Sequence, residues 1–123
     1  MEEGYVRVNI ETPPSNTNLK IITIRGALDK VTCKRVEEKV LPIIEKEESN
    51  IILDLSNLEY LSCEGMMCLI KHSTFVTEKN RLLKLVKPPK YVYNTLADAG
   101  IAINFDMYDT LEAALSSFQT ISS

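Results

Sequence analysis

The sequence predicts an α/β fold: a mixed, mostly parallel β-sheet of about five strands carrying four helices. Two observations lead there. From Asn50 onward, short apolar runs alternate with longer segments whose apolar residues recur at helical spacing, which implies right-handed crossovers between parallel strands. Ahead of them, two strand-like runs flank a turn-rich stretch, which implies one antiparallel hairpin. With 123 residues, 45% of them hydrophobic, the chain holds material for one packed core, and residues 1–123 read as a single domain.

Each element has its own warrant. Tyr5–Ile10 alternates, placing Val6, Val8 and Ile10 on one buried face of a strand. Glu11–Asn18, with Pro13, Pro14 and Ser15, is the turn before a second strand at Leu19–Arg25, which Gly26 and Asp29 are expected to break. Thr32 is the expected N-cap of a first helix over Cys33–Glu47, where Cys33, Val36, Val40, Ile43 and Ile44 share a face. Pro42 lacks the N–H that would bond back to Glu38, so a kink or an early end is expected there.

Asn50–Leu55 is almost uninterrupted apolar sequence, as expected of a central strand covered on both faces. A second helix runs from Cys63 to about Lys79, on the same side of the sheet as the first. Its buried side carries Met66, Leu69, Ile70, Ser73, Val76 and Thr77, with Met67, Cys68 and Phe75 projecting away and His72 in solvent. Leu82–Val86 is a further strand. Pro88 and Pro89 open a third helix through Ala99, and Gly100 stops it in a left-handed conformation. Ile101–Met107 is the last strand, and Asp109 or Thr110 caps a final helix through Phe118.

Charge narrows the function. The 14 basic and 17 acidic residues leave a net charge of −3, which argues against a surface that neutralises nucleic-acid phosphates. The start Met1-Glu2-Glu3-Gly4 is acidic where a secretory signal is basic, and no uncharged apolar run approaches the roughly 20 residues that span a bilayer. A cytoplasmic protein without membrane insertion is expected. Cys33, Cys63 and Cys68 are too few and odd in number for a disulfide framework, and free thiols fit a reducing compartment.

Candidate chemistry is sparse. Cys63 at a helix start could be an activated thiol, but no histidine adjoins it in sequence and Glu64 opposes the thiolate. Cys68 and His72 share a helix face as possible metal ligands, but Cys63 falls off that face, so no metal site is expected. Lys84, Lys87 and Lys90 read as solvated surface. Asp29 and Asp54 read as turn and loop carboxylates, with Asp54 accepting from loop N–H groups. There is no glycine-rich phosphate loop and no Ser-His-Asp arrangement, so neither an enzyme nor a cofactor is expected.

Several strings, in order and spacing, resemble the STAS domain, and within it the single-domain anti-sigma factor antagonists of bacteria. They are Ile24-Arg25-Gly26-Ala27-Leu28-Asp29 followed by Thr32, and Ile51-Ile52-Leu53-Asp54-Leu55-Ser56 running into Leu61-Ser62-Cys63-Glu64-Gly65. Leu96-Ala97-Asp98-Ala99-Gly100-Ile101 with Phe105, and Asp109-Thr110-Leu111-Glu112-Ala113-Ala114-Leu115, complete the set. The resemblance implies partner switching: the antagonist binds an anti-sigma factor, often itself a serine kinase, frees the sigma factor, and is released once phosphorylated. It implies a partner-binding surface at Asp29, Thr32, Ser62, Cys63, Glu64, Gly65 and Met66, with Gly65 allowing close approach of the partner. The family's acceptor serine follows an aspartate in an Asp-Ser-Ser-Gly-like string. Here Ser62-Cys63-Glu64-Gly65 stands in its place, so Cys63 occupies the acceptor position and Ser62 that of the aspartate. Glu64 supplies a fixed charge that partly imitates a phosphate. STAS-like domains also serve as accessory or scaffold subunits of transporters and stress-sensing complexes, the rival reading.

Overall fold

The computed structural model describes residues 5–46, 49–100, 102 and 105–119. The chain runs β1 (Val6–Glu11), β2 (Leu19–Leu28), α1 (Lys30–Lys46), β3 (Asn50–Asp54), β4 (Leu58–Leu61), α2 (Cys63–Glu78), β5 (Leu83–Val86), α3 (Lys90–Asp98), β6 (Asp106–Tyr108) and α4 (Leu111–Gln119). Among the described residues the sheet has six strands in the order β1-β2-β3-β5-β6, with β4 also paired to β2. Only β1 and β2 pair antiparallel; every other pairing is parallel. This is the mixed, mostly parallel sheet with four helices that the alternation predicts.

β1 is an edge strand, so its alternating face is only partly covered: Val6 and Val8 are half-buried, and Ile10, expected to be buried, is exposed. β2 does not break at Gly26. That residue takes φ +102°, the pairing register shifts between Gly26 and Ala27, and the strand continues to Leu28. The shift is a bulge that lets one strand serve two neighbours, since β2 pairs with β3 up to Thr23 and with β4 from Gly26 onward. β4 is the strand that patterning missed.

β3 is central and covered on both faces, as its composition requires. Ile51, Leu53 and Leu55 join the core beneath α1 and α2, together with Ile22, Ile24, Val36, Val40, Leu69 and Val76. Ile52 faces the other way, into a smaller cluster with Leu19, Val86, Ala114 and Phe118, where α4 closes the sheet. α1 buries Thr32, Val36, Val40 and Ile44 and continues past Pro42 to Lys46, so the proline does not end it; Glu47 lies outside the described residues. Gly100 takes φ +77°, and Thr110 caps α4 by accepting the Ala113 N–H at 3.0 Å. The last strand is shorter than expected. Ile101, Ile103 and Asn104 lie outside the described residues, and Phe105 donates its N–H to the Ala102 carbonyl in a turn before β6.

Two expectations about surface are overturned. Lys84 is buried, because its place in β5 directs it under α4. Its Nζ donates to Ser117 Oγ at 2.7 Å and Tyr108 Oη at 3.2 Å, lies 4.3 Å from the Phe118 ring centroid, and pairs with Asp106 at 3.6 Å. Cys68 and His72 are buried too, whereas Thr77 is exposed and Ser73 and Phe75 are half-buried. α2 packs on α1 as well as on the sheet, so its covered arc is rotated from the one a single-sided helix would show.

The start of α2 lies hard against the end of β2. A Cβ on Gly65 would overlap the carbonyl oxygen of Leu28 and crowd the Leu61 side chain, so only glycine fits. Gly65→Ala is therefore expected to cost about 1–3 kcal/mol by overpacking, a sizeable part of a total near 5–15 kcal/mol. Urea denaturation checks it: a midpoint equal to that of the parent chain would refute the close packing.

Candidate functional site

Two helix starts meet where β2 and β4 end. Asp29 caps α1, its Oδ1 accepting the N–H groups of Val31 and Thr32, each at 2.9 Å. Thr32 Oγ1 accepts the Asp29 N–H at 2.9 Å and donates to the Ala27 carbonyl at 2.7 Å. The pair is a reciprocal capping box in which Asp29, not Thr32, is the N-cap, and Thr32 is wholly buried one turn inside. Ser62 caps α2: its Oγ accepts the Gly65 N–H at 3.0 Å, while its own N–H donates to the Leu28 carbonyl at 3.1 Å. Leu28 is thus both the residue before the α1 cap and the floor on which α2 begins.

The structure therefore brings the predicted residues together, but they differ in what they show to solvent. Thr32, Gly65 and Met66 are buried, Asp29 and Ser62 are half-buried with their oxygens engaged in capping, and only Cys63 and Glu64 are exposed. Gly65 serves this chain's own packing, which corrects the expectation that its bare Cα admits a partner. Glu64 lies in the first turn of α2, where the positive end of the helix dipole favours a carboxylate.

Apolar side chains border the same residues: Met67, which helical spacing already places on the outer face of α2, and Val31, Tyr60 and Tyr91, which sequence reasoning missed. Val31 in the first turn of α1 is 53% exposed, Tyr60 on β4 48%, Met67 one turn beyond Cys63 67% and Tyr91 at the start of α3 48%, enough to offer a contact surface. The Tyr60 and Tyr91 rings stack at 6.5 Å, and Tyr91 Oη donates to the Leu61 carbonyl at 3.4 Å, which ties α3 to the site. Met67 could be found from helical spacing; Tyr60 and Tyr91 are distant in sequence and give no joint signal.

The remaining candidates disperse. Asp54 accepts from the N–H and Oγ of Ser56 at 3.0 and 2.8 Å, the loop role expected of it, and Asp29 is committed to its cap. Lys87 and Lys90 are exposed, but Lys84 is not part of any surface cluster with them. Of Cys63, Cys68 and His72, only the last two meet: Cys68 Sγ lies 3.7 Å from His72 Nδ1 in the contact with α1, while Cys63 is exposed at the helix start. Burial holds His72 below its usual range of about 6.5 and pushes the Cys68 thiol up. Lys71 pairs with Glu37 at 2.8 Å across the two helices, which holds the Glu37 carboxyl below its ordinary value.

Comparison with known proteins accounts for this architecture. Residues 7–114 match the family model of the STAS domain. A protein of Bordetella bronchiseptica described as "Putative anti-sigma factor antagonist BtrV" is 22% identical over 100 residues, 81% of this chain and 86% of that one. The Bacillus anti-sigma factor antagonist SpoIIAA, in its unphosphorylated form, superposes with a TM-score of 0.78 at 16% identity, covering 93% of this chain and 97% of that chain. The murine anion transporter Slc26a9 contains the same fold, with a TM-score of 0.75 at 20% identity over 84% of this chain and 18% of the transporter. No helix among the described residues is long and apolar enough to cross a membrane. With its hairpin, parallel crossovers and paired helix starts, the chain belongs to the STAS domain family and has the fold of anti-sigma factor antagonists.

Proposed function

We propose that the chain is a single-domain cytoplasmic regulator, residues 1–123, that acts by binding rather than by a reaction of its own. It docks on an anti-sigma factor, which in this family is often a serine kinase, and so frees a sigma factor for transcription. The docking surface is the junction of the two helix starts, Asp29 and Thr32 with Ser62, Cys63, Glu64, Gly65 and Met66. Caps and buried contacts hold that junction in place, so Cys63, Glu64 and the exposed Val31, Tyr60, Met67 and Tyr91 form its contact surface. The observation that carries this reading is an exposed Cys63–Glu64 pair at the start of α2 in a STAS fold. The descriptions of BtrV and SpoIIAA as antagonists support the choice of partner.

The release step differs from the family's. Cys63 has no hydroxyl to phosphorylate, and the neighbouring Ser62 Oγ is engaged by the Gly65 N–H. With ATP and a kinase-type anti-sigma partner, mass spectrometry is expected to find no phosphate on the parent chain and one phosphate on Cys63→Ser. Phosphate on Ser62 of the parent chain would overturn the proposed loss of phosphoregulation.

Docking has a separate test. Cys63→Asp leaves the helix start folded, since negative charge is tolerated there, but places an unmatched carboxylate in the interface. Calorimetric titration of the copurified partner is expected to show a loss of about 2–5 kcal/mol, with Glu112→Ala on α4 as an unaffected control. Equal affinities for Cys63→Asp and the parent chain would refute this surface. The rival reading, an accessory or scaffold subunit of a transporter or stress-sensing complex, is favoured by the absent serine and by the same fold within Slc26a9. Copurification with a permease in place of an anti-sigma factor would establish it.

A further inference from the structure

The contact between α1 and α2 holds a cluster that the docking surface does not use. Cys33 and Glu37 are four residues apart on α1, and Cys68 and His72 are four apart on α2, so each pair shares one helix face. These faces meet: the ligand atoms of Cys33, Glu37 and Cys68 all lie within 4.8 Å of one another. Within the pairs, Cys33 Sγ is 3.6 Å from Glu37 Oε2 and Cys68 Sγ is 3.7 Å from His72 Nδ1. A tetrahedral ion with bonds of about 2.3 Å to sulfur and about 2.0–2.2 Å to nitrogen or oxygen sets neighbouring ligands roughly 3.6 Å apart. The Cys33–Glu37 pair already spans one edge of such a tetrahedron, and Cys68 Sγ stands within reach of both.

His72 walls the cluster without joining it. It is 2% exposed, and its Nδ1–H is spent on the Cys68 carbonyl at 2.7 Å, so its 3.7 Å approach to Cys68 Sγ is not a ligand contact. We propose that Cys33, Glu37 and Cys68 form a three-ligand binding site for a borderline-soft divalent cation of the zinc class, its fourth position open to water, which clamps α1 to α2. The expectation of no metal arose because the sequence suggests Cys63 beside Cys68 and His72, whereas folding supplies Cys33 and Glu37.

The chemistry selects the ion. Two sulfurs beside a single carboxylate exclude the all-oxygen coordination of magnesium or calcium. Cysteine ligates as the thiolate, so an entering dication displaces two thiol protons to solvent and forms two metal–thiolate bonds. Two thiolates and one carboxylate exceed the dication by one negative charge, and Lys71 Nζ, 2.8 Å from Glu37, supplies the balance. Cys33 and Glu37 are only half-buried, which leaves a path for the ion to enter.

The test is titration of the reduced full chain with Co²⁺, followed by displacement with Zn²⁺. One equivalent of cobalt is expected to give the intense visible bands of a tetrahedral ion and a thiolate charge-transfer band, both removed by zinc. Cys63→Ser keeps this spectrum, Cys33→Ser and Cys68→Ser lose it, and Glu37→Gln weakens binding by about tenfold or more. Circular dichroism checks each variant, and if Cys68→Ser does not fold, the half-buried Cys33→Ser decides. An octahedral spectrum, bands that survive Cys33→Ser, or bands that require Cys63 would overturn the site. So would a chain that takes up no cobalt when reduced and forms a Cys33–Cys68 disulfide in air.

Discussion

The packing of Gly65 against the Leu28 carbonyl is the contact on which the site depends. It brings the start of α2 onto the end of β2, which is also where the chain turns into α1. Without it the two helix caps would still form, since each is local, but they would not share one surface. The bulge at Gly26 prepares this contact. By turning the end of β2 from β3 to β4, it brings Leu28 beside Leu61 in the register, and Ser62 follows directly with its N–H on the Leu28 carbonyl.

The caps determine what a partner can use. A helix start has four N–H groups without intrahelical acceptors, and a bare one would attract a phosphate or carboxylate. Here Asp29 answers two of them on α1 and Ser62 answers one on α2. What remains at the surface is side-chain chemistry: a thiol, a carboxylate, two stacked tyrosines, a methionine and a valine. Such a set suits a protein partner, because the tyrosine rings give broad contact area at small entropic cost and methionine adapts its shape to the surface it meets.

Legibility in the sequence followed the range of the forces involved. The hairpin, the β3 run, the α4 cap and the glycine stop after α3 all arise from neighbours in sequence, and all are where patterning puts them. β4 was missed because Leu58 and Leu61, its buried residues, are three apart and give no strand alternation over four residues. Gly26 was misread because a bulge and a strand end make the same local demand for positive φ; only the partner strand distinguishes them. Lys84, Cys68 and His72 were placed in solvent because each is covered by an element that sequence spacing cannot locate, α4 for the first and α1 for the other two. The seven residues do come together at the two helix starts, but the atom that Gly65 accommodates belongs to its own chain, a long-range contact that local sequence does not reveal.

The two functional regions share a mechanical axis. At 1.5 Å per residue, Cys68 lies about 7.5 Å along α2 from Cys63, and Cys33 about 6 Å along α1 from the Asp29 cap. An ion held between Cys33, Glu37 and Cys68 would therefore fix the relative setting of the two helices within two turns of the proposed docking surface. Any difference in that setting between free and partner-bound states makes ion and partner affinities interdependent, and the dependence must be equal in both directions. Such a STAS domain would then have a chemical input to the proposed docking surface, delivered from beneath the helices instead of at their tips.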